Sequence, residues 1–405
     1  MTAPTSSRST ERLTGVHALT DPADEPSGDV EPTGSVPSGS GGVQAPCTTG
    51  SGLPVIGSLH DAEGREPGCS VGHSAGPSEG DAEGAGEWAS TQPSKKGMGL
   101  VRLTLDRGVK TTAIGQLYGL DFEIEGAGYE VKLFFDHYNR RLKVIDYEAR
   151  DYGAMVHHIS WLAEANEFDK VFLKAERGDW QRFLPWGYQL EGILKYYFRG
   201  EDAYVMSRFR SNERLHSPHL MEETTLIESV MQRPRAYTPP PLPEGYRLVR
   251  ATPEDIPALV SIYRSVFQTY PSPLTHPDYI LATMERHILY RAVKNAEGSI
   301  VSAASAEVDE KHSNAEMTDC ATNPSERGRG LMFHLLRALE QDLAERGIMT
   351  AYTLARAMSA GMNVVFYRLG YEFCGRLINN CDIYGCFEDM NIWVHPLSPV
   401  RMGES

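Results

Sequence analysis

Residues 325–340 read Ser-Glu-Arg-Gly-Arg-Gly-Leu-Met-Phe-His-Leu-Leu-Arg-Ala-Leu-Glu, two arginines and two glycines followed at once by an apolar run. Met332, Leu335, Leu336, Leu339 and Leu343 recur at helical spacing, so a helix opens here and packs one face on a sheet. The first backbone N–H groups of a helix lack intrahelical partners, and the aligned peptide dipoles place roughly half a positive charge there. A loop wrapped around such an end binds phosphate. Gly328 and Gly330 would let the backbone approach a pyrophosphate closely, and Arg327 and Arg329 would add charge-assisted contacts. The same residues also suit a flexible basic turn, and the stretch alone does not choose. Two better-known phosphate loops do not fit: there is no Gly-x-x-x-x-Gly-Lys-Ser/Thr, and no Gly-x-Gly-x-x-Gly between a first strand and helix.

Outward from this stretch the chain divides. Residues 1–98 are rich in Gly, Ser and Pro, carry thirteen Asp/Glu against five Lys/Arg, and hold Trp88 as their one aromatic residue. Such a segment cannot bury enough apolar surface to offset the entropy of ordering, so a disordered extension is expected. Order begins near Val101, and residues 118–146 alternate in strand fashion, at 129–135 and 141–145, before a helix over 155–166 and a short strand at 170–175. Residues 99–232 form a first module, 233–244 a stiff proline linker, and 245–398 a second module. The second reads as a strand at 246–250, a helix opening at Thr252, another near 278–288, and strands at 289–295, 300–309 and 315–322. The modules repeat. Arg150-Asp-Tyr-Gly-Ala-Met155 parallels Arg327-Gly-Arg-Gly-Leu-Met332, and Leu184-Pro-Trp-Gly-Tyr188 parallels Tyr367-Arg-Leu-Gly-Tyr371.

The 405 residues carry a formal net charge of -15, which argues against a nucleic-acid binder. No apolar stretch is long enough to span a bilayer, and the N-terminus lacks the pattern of a secretory leader, so no membrane partner and a cytoplasmic location are expected. The six cysteines suggest neither a disulfide framework nor a metal site, since Cys381 and Cys386 have no second pair; reduced thiols are expected.

The order of strands, Arg-x-x-Gly loop, helix and Arg-Leu-Gly-Tyr turn resembles the GNAT family of acetyl-CoA-dependent N-acetyltransferases over about residues 245–396. The family's Gln/Arg-x-x-Gly-x-Gly/Ala signature ends here in Met332. Thr318-Asp-Cys-Ala-Thr, Tyr352-Thr-Leu-Ala-Arg-Ala, Gly361-Met-Asn, Leu377-Ile-Asn-Asn-Cys and Glu388-Asp-Met-Asn-Ile-Trp look like the β-lysine N-acetyltransferases within it. That likeness reaches back into the first module through Phe198-Arg-Gly-Glu-Asp-Ala-Tyr-Val-Met-Ser.

The resemblance implies an α/β GNAT fold, a mixed, mostly antiparallel sheet flanked by helices, with the first module a degenerate copy. It implies acetyl-CoA as co-substrate, no metal, and transfer to the terminal amine of β-lysine without an acyl-enzyme, yielding a compatible solute for osmotic stress. A homodimer is compatible with it. The pyrophosphate would rest on the backbone of Arg327, Gly328, Arg329, Gly330, Leu331 and Met332, and Cys320 and Thr322 would run beside the pantetheine. Two rivals stand beside this reading: a GNAT enzyme for another amine (a polyamine, an amino acid or a protein lysine), or a non-catalytic acetyl-CoA-binding regulator.

A lysine-type amine titrates near about 10.4, so a base must take a proton before it attacks a thioester. Glu316 and Asp319 are the strand carboxylates nearest the reaction zone. Their odd spacing points them to opposite faces of a regular strand, so without a bulge at most one meets the cleft, and Asp319 is preferred. Phe366 sits where the family often has a tyrosine acid. Tyr367 is a turn of about 100° away on the same helix. For the cationic acceptor, Asn379, Asn380, Glu388, Asp389 and Asn391 form a polar cluster, and Arg356 could meet its carboxylate. Asp151 would repel a pyrophosphate in the first module, so that module is read as a packing partner, lending residues such as Glu201 and Asp202 to the cleft.

Overall fold

In this computed structural model the described residues are 16–19, 100–114, 116–267, 269–383 and 385–397. Alternation sets the architecture. In the strand Arg141-Leu-Lys-Val-Ile, Leu142 and Val144 join one hydrophobic core while Arg141 and Lys143 face away from it, as a period of two requires. Each aliphatic side chain so buried contributes about 1.5–3 kcal/mol.

The elements of the first half are β1 (Val16–Leu19), β2 (Leu100–Asp106), β3 (Val109–Ile114), β4 (Gln116–Gly126), β5 (Tyr129–Asp136), β6 (Arg141–Ala149), α1 (Tyr152–Ala165), β7 (Lys170–Ala175), α2 (Trp180–Phe183), β8 (Gln189–Phe198), β9 (Glu201–Phe209), α3 (Asn212–Leu215) and α4 (Leu220–Met231). The second half holds β10 (Arg247–Arg250), α5 (Ile256–Val266), α6 (Pro277–Met284), β11 (Ile288–Lys294), β12 (Ile300–Asp309), β13 (Asn314–Thr322), α7 (Leu331–Glu345), β14 (Thr350–Arg356), α8 (Ala360–Leu369), β15 (Glu372–Ile383) and β16 (Cys386–Pro396).

These strands, with β2 and β3 paired separately, build one 14-stranded sheet ordered β1-β4-β5-β6-β7-β9-β8-β15-β16-β14-β13-β12-β11-β10. Read inward from either edge, the two halves have the same order. They meet where β8 pairs β15 at Gly192 and Gly375. A Cβ on Gly375 would lie 2.5 Å from the Glu191 carbonyl oxygen, so only glycine admits this approach. The sheet curls: six strands separate β6 from β13 in the order, yet Asp146 of β6 makes an ion pair with Lys311, just before β13. Helices α1 and α7 pack on the outer face of their halves, and α5 and α6 cover part of the inner face of the second. The sheet is mixed, since only β6–β7 and β13–β14 are parallel among its described pairings.

The expected disorder of residues 1–98 falls outside the described residues except at Val16–Leu19, which pair with β4 as a strand. The helix expected to run to residue 288 ends at Met284, because β11 begins at Ile288. Of the cysteines expected to be reduced, Cys320, Cys374 and Cys381 are free thiols.

Candidate active site

Strands β13 and β14 pair in parallel only over Asn314–Glu316 and Thr350–Tyr352 and then part, opening a V in the sheet. At its apex the Thr353 hydroxyl donates to the Met317 carbonyl (2.8 Å). Farther along, Ala303 faces Ala321 but Ser305 faces Thr318, so β13 spends one residue more than β12. This bulge lies at Asp319, whose φ is +51°. The extra residue reverses the parity. Cys320 joins the core under α7, while Asp319 receives hydrogen bonds from Ser305 (2.5 Å) and Tyr270 (3.1 Å) on the opposite, inner face. Glu316 is on that inner face too, where Tyr352 donates to its Oε2 (3.1 Å). The two carboxylates that odd spacing assigned to opposite faces are thus on one.

Beyond the V, the loop after β13 ends in Gly330, which caps α7 in the left-handed region at φ +73° and offers no capping side chain. The N–H groups of Gly328 to Phe333 make no hydrogen bond among the described residues. Six orphan donors at a helix N-terminus fit a pyrophosphate, and coenzyme A carries one. Arg329 pairs with Glu326 (3.2 Å) and donates to the Tyr246 hydroxyl (3.3 Å). Leu331 and Met332 bury their side chains in the core. Thr322 is buried and shares a hydrogen bond with Ser302 (2.7 Å). The first half has no equivalent cradle. Only Arg150 and Asp151 separate β6 from α1, and the Asp151 carboxylate itself accepts from the Ala154 N–H (2.9 Å). The helix end is thus already capped by an anion of the chain.

Between the halves lies a narrow cavity of about 10 Å³, room for roughly one water molecule. Glu316, Tyr352 and Leu354 line it from the second half, and Arg141, Lys143, Phe172 and Lys174 from the first. Burial, opposed by Lys174, Tyr352 and Lys143, raises the Glu316 carboxyl to about 7. Burial, opposed by Ser305 and Tyr270, raises Asp319 to about 6. Neighbouring Glu307 rises to about 8 through burial and the charge of Glu316. Burial lowers Lys143 to about 8 against the pull of Asp136. It also pushes the Cys320 thiol well up, which makes it a poor nucleophile.

Of the polar residues expected to bind substrate, Asn380 lines this cavity. Arg356 and Glu388 form a bidentate pair with each other (2.6 Å twice). Asn379 donates to the carbonyls of Glu213, Arg214 and His216, and its N–H to Asp389 (2.7 Å). Asn391 receives Arg376 (2.9 Å) and donates to Asn363 (3.0 Å). These groups hold the last strands to α3, α4 and α8. Glu201 and Asp202 sit at the β8–β9 turn, where Asp202 accepts from the Tyr196 N–H (2.9 Å). In their place the first half brings Arg141, Lys143 and Lys174. A signal for those existed in the sequence, since cations at 141 and 143 share one face of an apolar strand. Phe366 is buried in the core, and Tyr367 donates to the Met231 carbonyl (2.9 Å), so neither reaches the V. The tyrosines that touch the carboxylates are Tyr270 and Tyr352.

Residues 256–371 match the acetyltransferase (GNAT) family. The chain is 42% identical over 231 residues to the β-lysine N(6)-acetyltransferase of Methanosarcina mazei, covering 52% of this chain and 85% of that protein. It is 35% identical over 274 residues to the N-acetyltransferase YodP of Bacillus subtilis, covering 68% and 98%. It is also 35% identical over 247 residues to the β-lysine N(6)-acetyltransferase of Methanococcus maripaludis, covering 60% and 88%.

Proposed function

The chain belongs to the GNAT family of acetyltransferases and is an acetyl-CoA-dependent N-acetyltransferase, and from that premise we propose that it acetylates the terminal side-chain amine of β-lysine. The product, N-ε-acetyl-β-lysine, would serve as a compatible solute under osmotic stress. The observation that carries this is the similarity to two β-lysine N(6)-acetyltransferases along most of their length, 85% and 88%.

Acetyl-CoA supplies an acetyl group activated as a thioester. The N–H groups from Gly328 to Phe333 hold its pyrophosphate, and the backbone of β13 from Cys320 to Thr322 runs beside its pantetheine arm. Glu316 takes the proton from the acceptor ammonium. Its carboxylate has one oxygen, Oε1, with no hydrogen-bond partner among the described residues, and a pKa near neutrality suits a general base. Both Asp319 oxygens are engaged, so Asp319 fixes the bulge and the strand N–H groups that face the developing oxyanion. Transfer is direct, because Cys320 sits under α7, away from Glu316. The free amine adds to the thioester carbonyl, the C–S bond breaks as the oxyanion collapses, and coenzyme A leaves as a thiolate. That thiolate takes up the second proton, shed by the amide nitrogen.

The test is free-thiol release from acetyl-CoA with β-lysine, α-lysine, ornithine, spermidine and a lysine peptide, with mass spectrometry to locate the acetyl group. Turnover on β-lysine at its terminal amine, far above the others, supports the reading. Preference for another amine moves the enzyme to that substrate. Coenzyme binding without turnover on any of them makes it a regulator.

A further inference from the structure

We propose that the first half of the chain supplies the subsite for the acceptor's carboxylate, built from Arg141, Lys143 and Lys174 on the inner face of β6 and β7. The proposal deepens the reading above and rests on its premise that the acceptor is an amino acid.

Three cations and one carboxylate, Glu316, line one buried cavity. The nearby Asp136 serves Arg141 (2.7 Å) and Lys143 (3.4 Å) with the same oxygen. Lys174 makes no ion pair among the described residues, and its ammonium donates to the Tyr197 hydroxyl (2.8 Å). Glu307 and Glu316 also stand here, but burial raises both carboxyls to about 8 and about 7, so near neutral pH positive charge exceeds negative at this end. Burying such an excess is costly unless an anion arrives to share it.

Hydrogen bonding points the same way. Three side chains that line the cavity, all at least nine-tenths buried, each carry a polar atom without a partner among the described residues. They are Arg141 Nη2, a donor, and Glu316 Oε1 and Asn380 Oδ1, both acceptors. Buried polar groups are normally satisfied, so orphans of both kinds around one cavity mark a ligand with both kinds of group. A zwitterion answers this: its carboxylate to Arg141 and the lysines, its ammonium groups to Asn380 and Glu316. A polyamine has nothing to offer the cations and is repelled by them. The cavity is narrow, so entry requires side chains to move, and the long stems of Lys143 and Lys174 can swing onto the incoming carboxylate.

The experiment compares β-lysine with 1,4-diaminopentane, the same molecule without its carboxylate, in the full-length enzyme and in Lys174→Met and Lys143→Met. Expected is a KM for β-lysine raised at least about tenfold in each variant with the KM for acetyl-CoA unchanged, while kcat also falls near neutral pH because each lysine helps keep Glu316 ionised. The wild-type preference for β-lysine over the diamine should shrink by the same factor. Lys174→Arg, which keeps the charge, should restore the KM. If one variant fails to fold, the other carries the test, and coenzyme binding reports folding in both. An unchanged KM for β-lysine in a folded variant overturns the proposal, as does a wild type that treats acid and diamine alike. If the wild type ignores β-lysine but acetylates ornithine or α-lysine, the acceptor reading fails alone. The subsite is then tested with that acid against putrescine or cadaverine. Turnover confined to polyamines, or absent altogether, overturns both.

Discussion

Lys143 and Glu316 stand on the same rung of two equivalent ladders and line the same cavity. The parallel pairing of β6 with β7 starts at Arg141 and Lys170, that of β13 with β14 at Asn314 and Thr350, and the third pair is Lys143–Phe172 in one and Glu316–Tyr352 in the other. The repeat therefore sets a cation against a carboxylate across the cavity. Each perturbs the other's titration: Glu316 helps keep Lys143 charged and Lys143 helps keep Glu316 ionised, while burial opposes both.

Replacing Glu316 by Gln removes the proposed base at nearly constant volume. The kcat/KM for the acceptor should fall by about 10²–10⁴-fold, the usual worth of a positioned general base. In the wild type kcat/KM should rise with pH through an inflection near about 7, as Glu316 loses its proton. That inflection should vanish in the variant, leaving only the rise from the amine itself. A pH–rate profile for both proteins decides it.

Gly330 and Gly328 both lie in the left-handed region, at φ +73° and +78°. An alanine at either is strained, by about 1 kcal/mol. At Gly330 the added Cβ would also lie 3.1 Å from Pro240, whereas Gly328 has open space. Gly330→Ala should therefore weaken coenzyme A binding more than Gly328→Ala, which calorimetric titration with coenzyme A will show.

Cys320→Ala should leave kcat within about threefold. The thiol is buried against α7, donates to the Thr318 carbonyl (3.5 Å), and has its ionisation suppressed by burial. A loss beyond about a hundredfold in a folded variant, or an acetylated Cys320 seen by mass spectrometry, would establish an acyl-enzyme instead.

Glu307 and Glu316 bind protons more tightly folded than unfolded, because burial raises both from an ordinary 4.5 to about 8 and about 7. Where the folded state holds more protons than the unfolded one, stability falls as pH rises. The loss should start above about pH 4.5 and flatten above about pH 8, so the melting temperature should be higher at pH 6 than at pH 8.5. Glu307→Gln, which stays neutral, should gain about 1 kcal/mol or more on the wild type at pH 8.5 and little at pH 5. Denaturant titrations at the two pH values measure this.

Much of the second half could be read from residues. The strands at 300–309 and 315–322 and the loop at Arg327–Gly330 carry period-two and helix-start patterns that depend on near neighbours. The parity of Glu316 and Asp319 could not be fixed, because a bulge is one residue of slippage against a partner strand, visible only once Ser305 is set opposite Thr318. The polar cluster at 379–391 was legible as polar but not as to purpose. Whether Asn379 faces a ligand or the carbonyls of α3 depends on chain 163 or more residues away in sequence. Lys174 and Glu316 share a cavity for a similarly long-range reason, the curl of the sheet.

The seam at Gly192 and Gly375 has one more consequence. A symmetric homodimer joined at such a point would confront every side chain near its axis with a copy of itself, glutamate with glutamate and lysine with lysine. Here both partners belong to one polypeptide, so each can carry a different residue at the matching place. The anion cradle can be kept in one and dropped in the other, and a charge can face its opposite. The pairing also does not weaken on dilution, since the two halves are tethered at a fixed effective concentration whatever the abundance of the protein.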